Sequence, residues 1–278
     1  MLKIFVDSGS SIKQDEKEKF GVEIIPLRYL MGDEEYQDGL DITIDEFYKK
    51  LIEEKLFPKT SLPYLDELEQ RVTACTDAGD DVIVISISSG ISGTYNAFQT
   101  LFAENKKVRV VDSLTAVGGI KILVLEINKM KDRPLDEIVE KINALIPRIK
   151  VNAIPENLDY LCKGGRLSKK EWLLGSILNI KPIISLSGGE NGGNVKVDAK
   201  KIGLKAAMKY IVDELEKNCD TNYSIVPSFT YNDKNLKTLI EMTNKKHHNQ
   251  MIDFDNLDPV IACHWGPNAF GYIYVTKE

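Results

Sequence analysis

Two short runs, Val82-Ile83-Val84-Ile85 and Val108-Arg109-Val110-Val111, constrain the fold most. Each is rich in β-branched residues and is followed closely by small polar residues, as expected for buried parallel strands. The first leads into Ser88-Ser89-Gly90-Ile91-Ser92-Gly93-Thr94-Tyr95 and then an amphipathic stretch to Phe102. The local order is therefore strand, polar loop, helix. A helix start leaves backbone N–H groups without partners, and its dipole favours negative charge there. Glycines let a ligand approach the backbone, and hydroxyls add neutral donors. The loop is suited to a small anion, a carboxylate or a phosphate; the same residues also serve as plain helix caps.

The rest of the first half alternates in the same way. Lys3 to Val6 reads as a strand ending at Asp7-Ser8, and Val22 to Leu30 as a second extended run. Thr43 to Glu54 reads as a helix, with Thr43 and Glu46 at capping-box spacing. Leu65 to Ala78, Val117 to Met130 and Leu135 to Lys150 read as further helices. Three strands thus end in polar loops, at Asp7-Ser8, Ser88-Ser89-Gly90 and Asp112-Ser113. In an open parallel sheet ligands bind beyond the carboxyl ends of the strands. Asp7 and Asp112 are expected to cap these loops.

From about Lys150 to Pro155 the texture changes. Ile183 to Leu186 and Val195 to Val197 suggest a hairpin around a Gly- and Asn-rich turn. Lys200 to Glu216 and Asn235 to Lys246 suggest helices. Ser224 to Thr230, Val260 to Cys263 and Tyr272 to Val275 suggest strands. The expected fold is α/β: a doubly wound, mainly parallel domain over residues 1–152 and a C-terminal α+β domain over 153–278.

Composition narrows the function classes. The 278 residues carry a net charge of −6, which argues against a nucleic-acid binder, since phosphate neutralisation needs a concentrated basic surface. Met1 to Asp7 shows no signal-peptide pattern, and no apolar stretch reaches membrane-spanning length. Cys75, Cys162, Cys219 and Cys263 are scattered, without a CxxC pair, so free thiols and a cytoplasmic location are expected and a metal site is not. There is no GxxxxGK[ST] and no GxGxxG after the first strand, and no GxSxG elbow surrounds Ser92. His247 and His248 lie in a polar stretch and read as a solvated face. His264 is expected at the end of an apolar strand, where Gly266 and Pro267 force a turn.

Several segments, in order across nearly the whole chain, resemble the DegV family of bacterial fatty-acid-binding proteins. They are Asp7-Ser8, Asp38-Gly39, Lys59-Thr60-Ser61-Leu62-Pro63, Ser89 to Tyr95, Asp112-Ser113, Leu158 to Leu167, Ile180-Lys181-Pro182-Ile183 and His264-Trp265-Gly266-Pro267. The resemblance implies a two-domain fold with a long-chain fatty acid in an apolar tunnel between the domains. It implies that Thr60 and Ser92 hold the carboxylate, with Arg166 and His264 near it, and Ser61, Gly93 and Thr94 belong to the same motifs. It further implies a carrier without catalytic residues, cofactor or metal. Such a carrier presents its ligand to a separate kinase subunit that makes the acyl phosphate for phospholipid synthesis. Lys163, Lys169 and Lys170 form a basic cluster beside Arg166 that suits a kinase or, transiently, an anionic membrane surface.

The chain departs from the family pattern at four places. Leu62 stands where glutamine is common and Asn268 where glycine is common. Val197 to Lys201 carries lysines where an arginine is often found, with Lys200 the nearest substitute. The strand Ser224 to Thr230 lacks a trailing histidine. Other readings stay open: Thr60 as a turn residue near Pro58 and Pro63, Arg166 as the partner of an acidic side chain, and the whole protein as a small-anion regulator or a Ser92-dependent acyl hydrolase. Physically, burying a carboxylate is costly unless it is hydrogen-bonded, while an acyl tail contributes about 0.8 kcal/mol per buried CH₂.

Overall fold

The β-branched runs form the centre of a parallel sheet. The computed structural model describes residues 1–175, 179–253 and 255–278. Along the chain come β1 (Leu2–Asp7), β2 (Glu23–Ile25), β3 (Arg28–Met31), β4 (Glu34–Gln37), β5 (Lys59–Ser61), β6 (Asp81–Ser86) and β7 (Val108–Asp112). The later strands are β8 (Ile149–Ile154), β9 (Ile180–Ser187), β10 (Val195–Ile202), β11 (Val226–Phe229), β12 (Asp255–Asn256) and β13 (Phe270–Val275). They build three sheets: a parallel one ordered β2-β1-β6-β7, a six-stranded one ordered β10-β9-β8-β13-β11-β12, and a small antiparallel one ordered β4-β3-β5. In the six-stranded sheet all pairings are antiparallel except β11 with β12.

Both faces of the parallel sheet are covered, which is why its strands read as continuous apolar runs. Ile83 and Ile85 face a core shared with the six-stranded sheet, whereas Val82 and Val84 face the helices Leu65–Asp77 and Thr94–Leu101. The helix Gly118–Asn128 is buried between the two large sheets. On β13 the same alternation puts Ile273 and Val275 inward. Tyr272 and Tyr274 point outward, under the helices Leu204–Asn218 and Lys234–Met242.

The order β2-β1-β6-β7 reverses its direction of winding between β1 and β6, the place where open α/β sheets bind ligands. The loop after β6 approaches the β9–β10 turn at backbone distance. A Cβ on Gly90 would stand 2.4 Å from the Gly193 carbonyl oxygen, so only glycine fits. The Ser88 hydroxyl donates to that same oxygen at 2.6 Å.

The third sheet is held differently. Tyr29 on β3 meets Phe47 edge-on, with ring centroids 5.6 Å apart, and both pack against Ala262 and Cys263 of the helix Pro259–Trp265. Phe47 belongs to the helix Ile44–Ile52, whose Thr43–Glu46 capping box forms as expected. Asp38 Oδ1 accepts the Val260 N–H at 3.0 Å, tying the small sheet's last turn to the start of the Pro259–Trp265 helix.

Several sequence expectations change. Val22 to Leu30 is broken at Pro26 into β2 and β3, which enter different sheets. The helix expected over Leu135 to Lys150 ends at Leu145, because Pro147 cannot continue it. The chain then enters β8 at Ile149, so the division expected after residue 152 falls inside a strand paired along both edges. Lys200 lies on the edge strand β10 rather than on a helix, which begins only after Gly203, at Leu204. Val260 to Cys263 is helical, not extended: Asp258 precedes Pro259 at the first helical position. His247 is buried, 3.6 Å from Glu216, rather than solvated. The cysteines are free, Cys219 and Cys263 buried and Cys75 and Cys162 half-buried.

Phe47 is fully enclosed at the junction of the small sheet and the Pro259–Trp265 helix. Phe47→Ala is expected to lower stability by about 3–5 kcal/mol. Urea denaturation checks this; a loss under 1 kcal/mol would mean that the junction is not packed as described.

Candidate functional site

Two carboxylates, Asp7 buried at the switch point and Asp112 half-buried one strand further on, tie the strand-end loops together. Asp7 Oδ1 accepts the Gly9 N–H at 2.9 Å and Oδ2 the Ile87 N–H at 2.7 Å, so one side chain spans the ends of β1 and β6. Asp112 Oδ1 accepts the Ser89 N–H at 3.0 Å and the Leu114 N–H at 3.1 Å. Both act as the loop caps expected. Burial pushes the Asp7 carboxyl up to about 7, against the two N–H bonds that lower it.

These bonds, with others inside the loop, use up most of the amides that made it an anion candidate. Gly90 N–H goes to the Ser88 hydroxyl, and the Ile91 and Ser92 N–H groups go to the Ser88 carbonyl. What the loop offers outward is the Ser92 hydroxyl and Gly93. Ser92 Oγ lies 2.8 Å from Thr94 Oγ1, and Thr94 is wholly buried behind it. Thr94 therefore orients Ser92 and does not reach the cavity.

That cavity, about 260 Å³, runs between the strand-end loops, the inner face of the six-stranded sheet and the Pro259–Trp265 helix. A water needs only ~10–15 Å³ of such space, so this is room for a ligand and not a packing defect. Its lining is largely aliphatic, with Val117, Val151, Leu186, Val260 and Ile273 among the walls. Thr60, Ser61, Ser92, Gly93, Arg166 and His264 also line it. Of the residues singled out in the sequence for binding, only Thr94 is outside.

Thr60 is placed by β5, whose Thr60 pairs with Tyr29 of β3, itself anchored on Phe47. His264 comes from the last turn of the Pro259–Trp265 helix, held by the same cluster. The two meet with Thr60 Oγ1 2.9 Å from His264 Nε2. Burial, and secondarily the charge of Arg166, holds the His264 ring down from 6.5 to about 3, so it is neutral; its Nδ1 has no partner among the described residues.

Arg166 follows the short helix Asp159–Lys163. Its Nε donates to the Ile91 carbonyl at 2.9 Å, and Nη1 donates to the Gly164 carbonyl. Among the described residues it has no carboxylate partner, so the acidic pairing left open in the sequence does not form. Burial lowers its pKa. A half-buried guanidinium bonded only to carbonyls keeps its whole charge available at the cavity.

The four lysines singled out in the sequence are exposed and outside the cavity lining. Lys163 Nζ stands 5.3 Å from the Phe57 ring centroid. Lys169 and Lys170 open the helix Lys169–Gly175, beside the exposed Trp172 and Leu173. The aliphatic walls were not individually legible in the sequence; their only signal was inward alternation on strands whose register the sequence does not give. Among the described residues no group of His, Cys, Asp or Glu could hold a metal ion, and no helix is long and apolar enough to cross a membrane.

Comparison with known proteins agrees across the full length. The family model described as uncharacterised protein, DegV family, matches residues 1–277. A DegV domain-containing protein of Clostridium acetobutylicum is 32% identical, over 99% of this chain and 98% of the relative. Among solved structures, a DegV lipid-binding protein from Thermotoga maritima is 25% identical with a TM-score of 0.83, covering 100% of this chain and 99% of that one. A second Thermotoga maritima protein, whose structure is described as revealing a fatty acid binding function, is 25% identical with a TM-score of 0.81, with 99% of both chains covered.

The neutral His264 ring has a consequence for acid stability. Between about 6.5 and 3 the unfolded chain binds a proton that the folded protein does not, so this residue's contribution falls as pH falls through that window. Asp7 acts in the opposite sense: between about 4 and 7 the folded protein holds a proton that the unfolded chain has released, and that stability is lost as pH rises. His264→Gln is expected to lose less stability than the native protein between about pH 7 and pH 5. Urea midpoints at the two values test this, and equal losses would show that the ring is not held neutral.

Proposed function

The chain belongs to the DegV family, and we propose that it is a carrier that holds a long-chain fatty acid in the cavity with the carboxylate at the Thr60–Ser92–Arg166–His264 end. The observation that carries this reading is Arg166. A partly desolvated guanidinium without an anionic partner among the described residues, in a cavity whose lining is largely apolar, calls for an anion joined to an apolar tail. In the tautomer that donates Nε2–H to Thr60 Oγ1, the neutral His264 ring leaves the Thr60 hydroxyl proton free for a carboxylate oxygen. Ser92, fixed by Thr94, and Ser61 at the rim add hydroxyls. The aliphatic walls provide most of the binding free energy, at about 0.8 kcal/mol for each CH₂ buried.

The protein in this reading is cytoplasmic and catalyses nothing by itself. A separate kinase subunit phosphorylates the presented carboxylate, and the acyl phosphate feeds phospholipid synthesis. The division of labour is supported by the absence of P-loop and dinucleotide signatures from the sequence. Lys163, Lys169, Lys170 and Lys200 are the residues we assign to partner contact. The exposed pairing of Lys169 and Lys170 with Trp172 and Leu173 also suits transient contact with an anionic membrane surface. A Ser92-dependent hydrolase is less well supported, because the bond made by His264 goes to Thr60 and that of Ser92 to Thr94. The aliphatic walls weigh against a receptor for small hydrophilic anions.

Solvent extraction of the purified protein followed by mass spectrometry is expected to recover a long-chain fatty acid. No recovered acid together with no binding of added palmitate or oleate would end the proposal. A hydrogen bond to a charged group is worth about 1.5–3 kcal/mol, so Thr60→Val and Ser92→Ala are each expected to weaken palmitate binding by about ten- to a hundredfold. Titration calorimetry reads this directly, and unchanged affinity in both variants would move the carboxylate elsewhere.

A further inference from the structure

The inner face of the six-stranded sheet has two neighbouring rows with different chemistry. In one, cross-strand partners run Val226, Ile273, Val151, Leu186, Val195, all aliphatic. Two residues along the strands, the next row runs Ser228, Gly271, Ala153. Three small residues side by side on adjacent strands make a trough across the sheet, and all three line the cavity. The trough cannot be filled from within at its centre: a Cβ on Gly271 would meet the Asn152 carbonyl oxygen at 2.1 Å and Ala153 Cα at 2.6 Å.

Ser228 breaks the apolar pattern. The strand period of two places it inward, since Val226 joins the inner core and Phe229 packs against the outer one. It is 6% exposed and lines the cavity, and among the described residues no hydrogen bond reaches its hydroxyl. At the loop end of the lining Thr60 pairs with His264, Ser92 with Thr94 and Arg166 with two carbonyls, and His264 Nδ1 is the other polar atom there without a partner among the described residues. Ser228 comes from β11, far in the chain from the loops that supply those groups. Alanine would give the same trough without burying an unpaired hydroxyl, which is costly against an alkyl chain.

We propose that Ser228 is a selectivity residue for oxygenated acyl chains, its hydroxyl pairing with a hydroxyl or oxo group carried along the tail where the tail crosses the Ser228–Gly271–Ala153 trough. This rests on the fatty-acid reading of the cavity and adds a second polar contact, on the sheet face rather than among the groups assigned to the carboxylate. A serine hydroxyl both donates and accepts, so it matches a tail hydroxyl in either role and a tail carbonyl as donor. Aliphatic residues, Leu257, Val260 and Ile261 among them, line the same cavity, so an oxygen set against them finds no hydrogen-bond partner.

The test is a positional series of monohydroxystearates, which share chain length and overall polarity and differ only in where the hydroxyl sits. One position is expected to bind the native protein about three- to tenfold more tightly than the others, the range that one net neutral hydrogen bond provides. Ser228→Ala should level the series while binding stearate at least as well as the native protein, with a thermal melt confirming that the variant folds. A flat series in the native protein overturns the proposal without need of the variant. A preference that survives Ser228→Ala overturns it as well. Failure of the native protein to bind stearate, palmitate and oleate alike overturns the fatty-acid reading itself, and the two failures are thereby distinct.

Discussion

The site depends on one buried carboxylate. Asp7 sits at the point where the parallel sheet reverses its winding and gives one oxygen to each side of that point, Gly9 after β1 and Ile87 after β6. Two loops that leave neighbouring strands in divergent directions are thereby held as one surface. Asp112 repeats the device one strand further on, through Ser89 and Leu114. The strand-end loops are thus stiffened from below. Most of the amides of the loop after β6 are taken up by these carboxylates and by Ser88, so it offers the cavity the Ser92 hydroxyl and Gly93.

This explains why the polar end of the cavity is composite. The parallel sheet contributes Ser92 and Gly93, the small sheet contributes Thr60 and Ser61, and the C-terminal half contributes Arg166 and His264. No single element contains a site. Thr60 and His264 are brought together by the aromatic packing of Tyr29 and Phe47 against the helix that carries His264. Position and chemistry are supplied by different residues: among the positioning ones Asp7, Tyr29 and Phe47 are fully buried and Asp112 half-buried.

Much of this was legible in the sequence because it is local. Short β-branched runs, a capping box and a glycine-rich hairpin each leave a signature within ten residues or so, and all three formed. The ordered motifs also marked Thr60, Ser92, Arg166 and His264, which line one cavity. What was not legible has specific causes. The helix Pro259–Trp265 is buried from Pro259 through Cys263, so it lacks the polar face that reveals a helical period and reads as a strand. The start of β8 was hidden because Pro147 ends a helical pattern whose apolar spacing runs on into the strand. The trough and Ser228 depend on the registers of β8, β11 and β13, which lie far apart in the chain and meet only in the folded sheet.

The approach of Gly90 to Gly193 sets a dimension of the molecule. The two halves touch there main chain to main chain, so their separation at that seam equals the thickness of a bare backbone. A spacer made of side chains would adjust by changing rotamers; this one has no rotamers to change. The gauge of the gap beside Ser92 is therefore set by a carbon atom that neither glycine carries. A single methyl group added at residue 90 would act as a wedge, felt across the width of the cavity and not only at the point of insertion.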